Sequence, residues 1–220
     1  MSVAAARSVG ELIRAARALV FDFDGTLVDS NEIKWQAFET CFAEFAAERD
    51  EILAYCRSYH HVPRGEKFRH VYETILGRPY TAEVAAMLHA RFASVTTHAI
   101  VRAAEIPGAG AFTAAVAGRT VTGLLSSTPH EVLLSIVGAR GWKERFSVVR
   151  GAPVVKAAWL RQFHATQGLD PHAVVFFGDM PEDAAAAADA GCVFVGVANE
   201  ALKREDRPFI ADFTGLEGRF

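Results

Sequence analysis

Cysteine is scarce in this 220-residue chain: Cys41, Cys56 and Cys192 are the only three. They are widely separated and form no CxxC or metal-type spacing, so neither a disulfide framework nor a zinc site is indicated. Free thiols suit a reducing, cytoplasmic setting. Long apolar runs are missing as well. The longest stretch free of Asp, Glu, Lys, Arg and His is Ile106–Gly118, far short of the ~18 apolar residues that read as a membrane span. The N-terminal segment carries Arg7, Glu11, Arg14 and Arg17, which breaks up any secretory-type apolar region. Val9, Leu12, Ile13 and Ala16 instead share one face of a short helix expected to dock on the core. Excess positive charge is also absent. A formal net charge of −3 and a pI near 6.2 leave no basic footprint for a nucleic acid, whose phosphates are bound mainly by clustered Lys and Arg.

What the chain does have is apolar mass: 51% hydrophobic and 22% charged residues, with a mean hydropathy of +0.15. This is ample for a large core and lies outside the range of disordered chains. Short Val-, Phe- and Leu-rich runs at Ala18–Phe21, Thr120–Leu125, Ala173–Phe177 and Cys192–Val197 read as buried strands, with a weaker one at Phe146–Val149. Between them, Pro129–Gly138 and Lys156–Gln167 read as helices, and Pro181 opens a helix that runs to Ala190 and stops at Gly191. Alternating strands and helices imply an α/β fold, a Rossmann-like parallel sheet with helices on both faces, whose ligands bind at the carboxyl ends of the strands.

One region breaks the alternation. Ile33, Ala37, Phe38, Cys41, Phe42 and Phe45 recur at helical spacing, as do Phe68, Val71, Tyr72 and Ile75, then Val84, Met87, Leu88 and Phe92. An all-helical insertion is therefore expected over residues 31–106, with residues 1–30 and 107–220 forming the core domain. The turn Ile106-Pro107-Gly108 hands the chain back.

Polar residues follow the strands. Phe21-Asp22-Phe23-Asp24-Gly25-Thr26-Leu27 runs a buried strand into two carboxylates two residues apart, on the same side of the extended chain. Like charges this close call for a cation or a shared proton; the alternative is a strand-end turn with solvated acids. Phe177-Gly178-Asp179-Met180-Pro181-Glu182-Asp183 supplies a second acid pair at a helix start, where capping by itself explains either acid. Two such pairs on one sheet edge favour a hard-oxygen Mg2+ site. Leu125-Ser126-Ser127-Thr128 offers hydroxyls and N–H groups just before a helix, a phosphate cradle or, for Ser127 or Thr128 singly, an N-cap. Lys156 opens another helix.

In this order, Asp22-Phe23-Asp24-Gly25-Thr26-Leu27-Val28-Asp29-Ser30, Ser126, Lys156 and Gly178-Asp179 followed by Asp183, the chain resembles the haloacid dehalogenase-like hydrolase superfamily. The match extends from Phe21 to about Val197, and the helical insertion looks like that family's type I cap domain. The branch it is most similar to is the phosphoglycolate phosphatase-like and β-phosphoglucomutase-like one. Ser126-Ser127 stands where Thr-Asn or Ser-Asn is frequent, and Met180 stands where a small polar residue is frequent.

The resemblance implies a Mg2+-dependent phosphatase of a small phosphorylated metabolite, a sugar or organic-acid phosphate. Asp22 would be the nucleophile that becomes an aspartyl-phosphate. Mg2+ would be held by the Asp22 carboxylate, the Asp24 carbonyl and Asp179, with Asp183 holding metal-bound water or orienting Lys156. Asp24 would be acid and then base, and its presence favours phosphate esters over C–Cl or C–P bonds. Ser126, Ser127 and Lys156 would bind the phosphate. In the cap, the polar segment from His60 and His61 to His70 reads as an inter-helix turn, with Arg64 and Lys67 as candidate substrate contacts and Tyr59 and Trp35 as packing residues. A phosphomutase or phosphotransferase on the same scaffold is the second reading. A metal-dependent glycosyltransferase using the Asp22–Asp24 pair ranks lower, since it leaves Lys156, Asp179 and Asp183 idle.

Overall fold

A computed structural model describes residues 8–59 and 62–219; His60 and His61 lie outside them, as does Arg7. The chain divides into two compact units, Met1–Asp29 with Ala104–Phe220, and Ser30–Ala103.

The larger unit opens with α1 (Val9–Ala15), which starts at a reciprocal cap between Ser8 and Glu11 and buries Leu12 and Ile13. Six strands follow: β1 (Ala18–Phe21), β2 (Val121–Pro129), β3 (Val148–Ala152), β4 (Val174–Gly178), β5 (Val193–Val197) and β6 (Phe209–Ile210). All pair in parallel, in the order β3-β2-β1-β4-β5-β6. The sheet is the expected Rossmann-like one.

β1 is central and all four of its residues are buried, as a strand covered on both faces requires. Period-two alternation sends Ala18 and Val20 into a cluster with Leu160, Phe163, Phe176 and Ala187 under α8 (Lys156–Thr166) and α9 (Pro181–Ala190). Phe21 points the other way. It stacks on Phe177 at 5.1 Å and meets Phe112 at 6.0 Å, while Phe112, from α6 (Ala109–Val116), stacks on Phe213 at 5.5 Å.

Three details depart from the sequence expectation. β2 continues past Leu125 through Ser126 and Thr128 to Pro129, with an irregular register against β3 between Leu125 and Pro129. The hydroxyls are therefore strand residues, and Pro129 caps α7 (His130–Ala139) with no side-chain cap bond; neither Ser127 nor Thr128 is the N-cap. β3 lies later than Phe146–Val149, because Lys143–Arg145 forms a single 3-10 turn that delays the edge strand. β6 escaped notice because two residues carry no periodicity.

The described residues of the smaller unit form helices and no strand: α2 (Asn31–Cys41), α3 (Arg49–Ser58), α4 (Arg64–His70) continued by a π-helical turn at Val71–Ile75, and α5 (Ala82–Arg102). Its core is aromatic. Phe38 meets Phe92 at 5.0 Å and Phe68 at 5.8 Å, and Phe42 meets Phe68 at 5.9 Å. Among the described residues no helix is long and apolar enough to cross a membrane.

Phe213 joins the C-terminal segment to the Phe21–Phe112–Phe177 stack and is fully buried. Phe213→Ala should lower stability by about 3–5 kcal/mol, the usual cost of emptying a buried aromatic site, as measured by urea denaturation.

Candidate active site

The chain runs from β1 to β2 and β3 on one side of β1, then to β4, β5 and β6 on the other. Such a reversal opens a crevice at the carboxyl ends of the central strands. Phe21 pairs with Phe177 in register, and the Asp22 N–H donates to the Phe177 carbonyl at 2.8 Å. The acids that follow β1 and β4 are thus neighbours by strand pairing.

Asp22, Asp179 and Asp183 are buried, and each offers a carboxylate oxygen within 4.8 Å of the others'. Lys156, the first residue of α8, sits between two of them: its Nζ donates to Asp22 Oδ1 at 2.7 Å and to Asp183 Oδ1 at 2.6 Å. Burial opposes the Lys156 ammonium, but Asp183 and Asp22 overcome it and hold its pKa above the ordinary lysine value. Burial drives the Asp22 pKa well above the usual carboxylate value; Lys156 counteracts this, while Asp183, Asp179 and Asp24 add to the rise.

Asp24 lives differently. Its Oδ2 accepts from Thr128 Oγ1 at 2.9 Å and from Ser126 Oγ at 3.4 Å, and Ser126 Oγ in turn accepts from the Thr128 N–H at 3.0 Å. Of the two acids of the β1 motif, Asp22 thus has the Lys156 ammonium as a partner and Asp24 has the Ser126 and Thr128 hydroxyls. Ser127, between the two hydroxyl residues, is exposed.

Other side chains order the loop after β4. Thr26 Oγ1 donates to Asp179 Oδ1 at 3.3 Å, Asn199 Nδ2 donates to the Asp179 carbonyl at 2.7 Å, and the Met180 N–H donates to Asp183 Oδ2 at 3.3 Å. Gly178 has to be glycine, because a Cβ there would stand 2.6 Å from Asp183 Cβ. From the sequence, Thr26 stands out only within the first motif and Thr128 only within the Ser126–Thr128 cradle or as an N-cap, neither as a partner of an acid, and Asn199 does not stand out. The strand-end rule pointed at Thr128 and, applied to β5, would have reached Asn199.

In the helical unit, Arg64 and Lys67 belong to α4 rather than to a turn. Pro63 supplies the extended residue before the helix and Gly65 is helical. Lys67 is only 4% exposed; its Nζ donates to the Cys56 carbonyl at 2.9 Å and lies over the Trp35 and Phe38 rings. The structure thus directs Lys67 into that unit's own core. Arg64 is half-buried, with its guanidinium 4.5 Å from the Phe92 ring centre. Burial lowers its pKa, and among the described residues it meets no carboxylate. Trp35 packs on Phe38 and Tyr59 on Tyr55.

The donor set is all hard oxygen, the chemistry of Mg2+ rather than of zinc or copper. Charge agrees: one ammonium against three clustered carboxylates leaves two negative charges for a divalent cation to balance.

The family model for haloacid dehalogenase-like hydrolases matches residues 19–197, and the chain belongs to that family. No curated protein matches it in sequence. Among solved structures, a variant of CbbY from Rhodobacter sphaeroides, in complex with xylulose-(1,5)bisphosphate, superposes with a TM-score of 0.72 at 18% identity, over 91% of this chain and 96% of that one. A predicted phosphoglycolate phosphatase from Haemophilus somnus gives 0.69 at 19% identity, over 90% and 95%. L-2-haloacid dehalogenase from Xanthobacter autotrophicus, with chloropropionic acid covalently bound, gives 0.62 at 17% identity, over 92% and 97%. At these identities the likeness is one of fold.

Lys156→Met should cost about 3–5 kcal/mol at neutral pH in EDTA, the usual penalty for removing one partner of a buried ion pair. The sign follows from proton binding. A raised lysine pKa contributes stability fully below the unfolded-state value of about 10.4, so the loss is complete at pH 7. That contribution is lost only as pH rises above the unfolded-state lysine value, so the gap to the parent protein should narrow toward high pH in pH-dependent urea melts.

Proposed function

We propose that this protein is a Mg2+-dependent phosphatase that hydrolyses a small phosphorylated metabolite through a phosphoryl group carried on Asp22. The observation that carries this reading is the split between the two acids of the β1 motif. Asp22 stands beside Lys156, Asp179 and Asp183, whereas Asp24 stands between the Ser126 and Thr128 hydroxyls. Two carboxyl groups in unlike surroundings are what a nucleophile and an acid–base partner require.

In this reading an Asp22 carboxylate oxygen attacks phosphorus, and the P–O bond to the leaving group breaks. Asp24 gives its proton to the departing alkoxide. Water then attacks the phosphorylated Asp22, its proton passes to Asp24, and phosphate leaves with the Asp22 carboxylate restored. Lys156 and the Ser126 hydroxyl balance charge on the transferring group, and Ser127, the exposed residue that follows Ser126, would be a further phosphate contact. Bound by Asp22, the Asp24 carbonyl and Asp179, with Asp183 as a supporting acid, Mg2+ would supply charge neutralisation of the phosphoryl oxygens.

A carboxyl at position 24 also favours an oxygen leaving group, since a halide needs no proton. Residues 31–106 are read as a specificity cap, and Arg64 is its best candidate contact. Among the described residues the Arg64 guanidinium meets no carboxylate, which suits a second anionic group, so the substrate class would be a phosphorylated sugar or organic acid with a further phosphate or carboxylate. Transfer to a second substrate hydroxyl, the mutase alternative, uses the same groups. It would be recognised by accumulation of a phosphorylated isomer in place of free phosphate.

Asp22→Asn should abolish phosphate release while the protein stays folded, and near-normal activity in that variant would remove Asp22 as nucleophile. Asp24→Asn should slow turnover by about 10²–10⁴-fold, the usual contribution of a positioned acid–base group, with Mg2+ binding retained. Arg64→Ala should raise KM for doubly anionic substrates by about 10- to 100-fold, matching the ~1.5–3 kcal/mol of a hydrogen bond to a charged group, while KM for p-nitrophenyl phosphate stays near normal. Equal effects on both substrates would take Arg64 out of the site.

A further inference from the structure

Behind the acid cluster lies a residue with no counterpart among the motif positions. β5 ends at Val197, and the next residue, Ala198, adopts φ +57°, a left-handed conformation that costs a non-glycine residue roughly 1 kcal/mol or more. Such a residue persists only where its neighbours fix it. Here the Ala198 N–H donates to the Ile210 carbonyl at 3.0 Å, so the two-residue strand β6 locks the turn. The turn brings Asn199 back toward β4.

Both ends of the Asn199 amide are used. Its Oδ1 accepts from the Ala201 N–H at 3.1 Å and caps a short 3-10 turn; its Nδ2 donates to the Asp179 carbonyl at 2.7 Å. The peptide that leaves Asp179 is thus held at both ends, its C=O by Asn199 and its N–H, that of Met180, by Asp183 Oδ2 at 3.3 Å. Rotation of this one peptide would turn the Asp179 side chain and release Asp183 together.

We infer that Asn199 is a positioning residue for the cation site: through Ala198 and β6 it fixes the peptide that aims Asp179 and Asp183. The inference rests on the cluster being a divalent-cation site, as proposed above. Partners of this kind behind metal ligands typically contribute 10–100-fold in metal affinity. They act through orientation, not contact.

Two substitutions keep the oxygen that caps Ala201 and remove the donor to Asp179, namely Asn199→Ser and Asn199→Asp. The test is Mg2+ binding by calorimetry on the full chain, with no substrate, alongside melting temperature in EDTA and Asp179→Asn as a control. Both variants should bind Mg2+ about 10-fold or more weakly with a melting temperature in EDTA close to that of the parent. Unchanged affinity in Asn199→Ser, alongside loss of binding in Asp179→Asn, would overturn the role of Asn199 and leave the cation site standing. Tighter binding in Asn199→Asp would also overturn it, since an added charge acting only through space strengthens cation binding. A parent protein that binds no Mg2+ would overturn both readings. Should Asn199→Ser fail to fold, the sign of the change in Asn199→Asp decides.

Discussion

Three carboxylates gathered within 4.8 Å in the interior of a protein repel one another strongly. Each unit-charge pair at about 4 Å is worth about 4 kcal/mol at an effective dielectric of about 20. A chain keeps such an arrangement only if something neutralises it, and the surroundings of Asp22, Asp179 and Asp183 follow from that need. Lys156 is drawn in by two short ion pairs, against the cost of burying an ammonium. The residual negative charge is what the proposed divalent cation would balance.

The fold creates this tension and contains it. Parallel pairing of β1 with β4 puts Asp22 next to the chain entering Asp179, and pairing of β1 with β2 puts Asp24 next to Ser126 and Thr128. The stacked phenylalanines beneath, Phe21 on Phe177 and Phe112 on Phe213, anchor the strands from which the acids project. Rigidity at the strand ends is what lets like charges stand close without collapsing into solvent. The fold is shared with solved haloacid dehalogenase-like structures.

Much of this was legible in the sequence because the parts that matter are local. The strands that bear the acids are short apolar runs ending in Asp or Ser, and position at a strand end carries the chemistry. Asp22, Asp179, Asp183 and Lys156 fall together for that reason. What escaped depends on long-range geometry. Ser126 and Thr128 belong to the strand and bind Asp24, a partner 102 and 104 residues away, which no local pattern encodes. Asn199 is invisible without β6, whose two residues carry no period. Lys67 misled because a lysine in a polar stretch reads as solvated; a backbone carbonyl and two aromatic rings hold it inside.

The claim on which the rest turns is that Asp22 itself carries the phosphoryl group. The most direct measurement is to quench the protein with borohydride during turnover of a phosphate ester and map the peptides by mass spectrometry, since an acyl phosphate is reduced where a free carboxylate is not. Homoserine at position 22, formed only when both Mg2+ and the ester are present, is the expected result. Phosphate release with an unmodified Asp22, or with the reduced residue elsewhere in the chain, would contradict it.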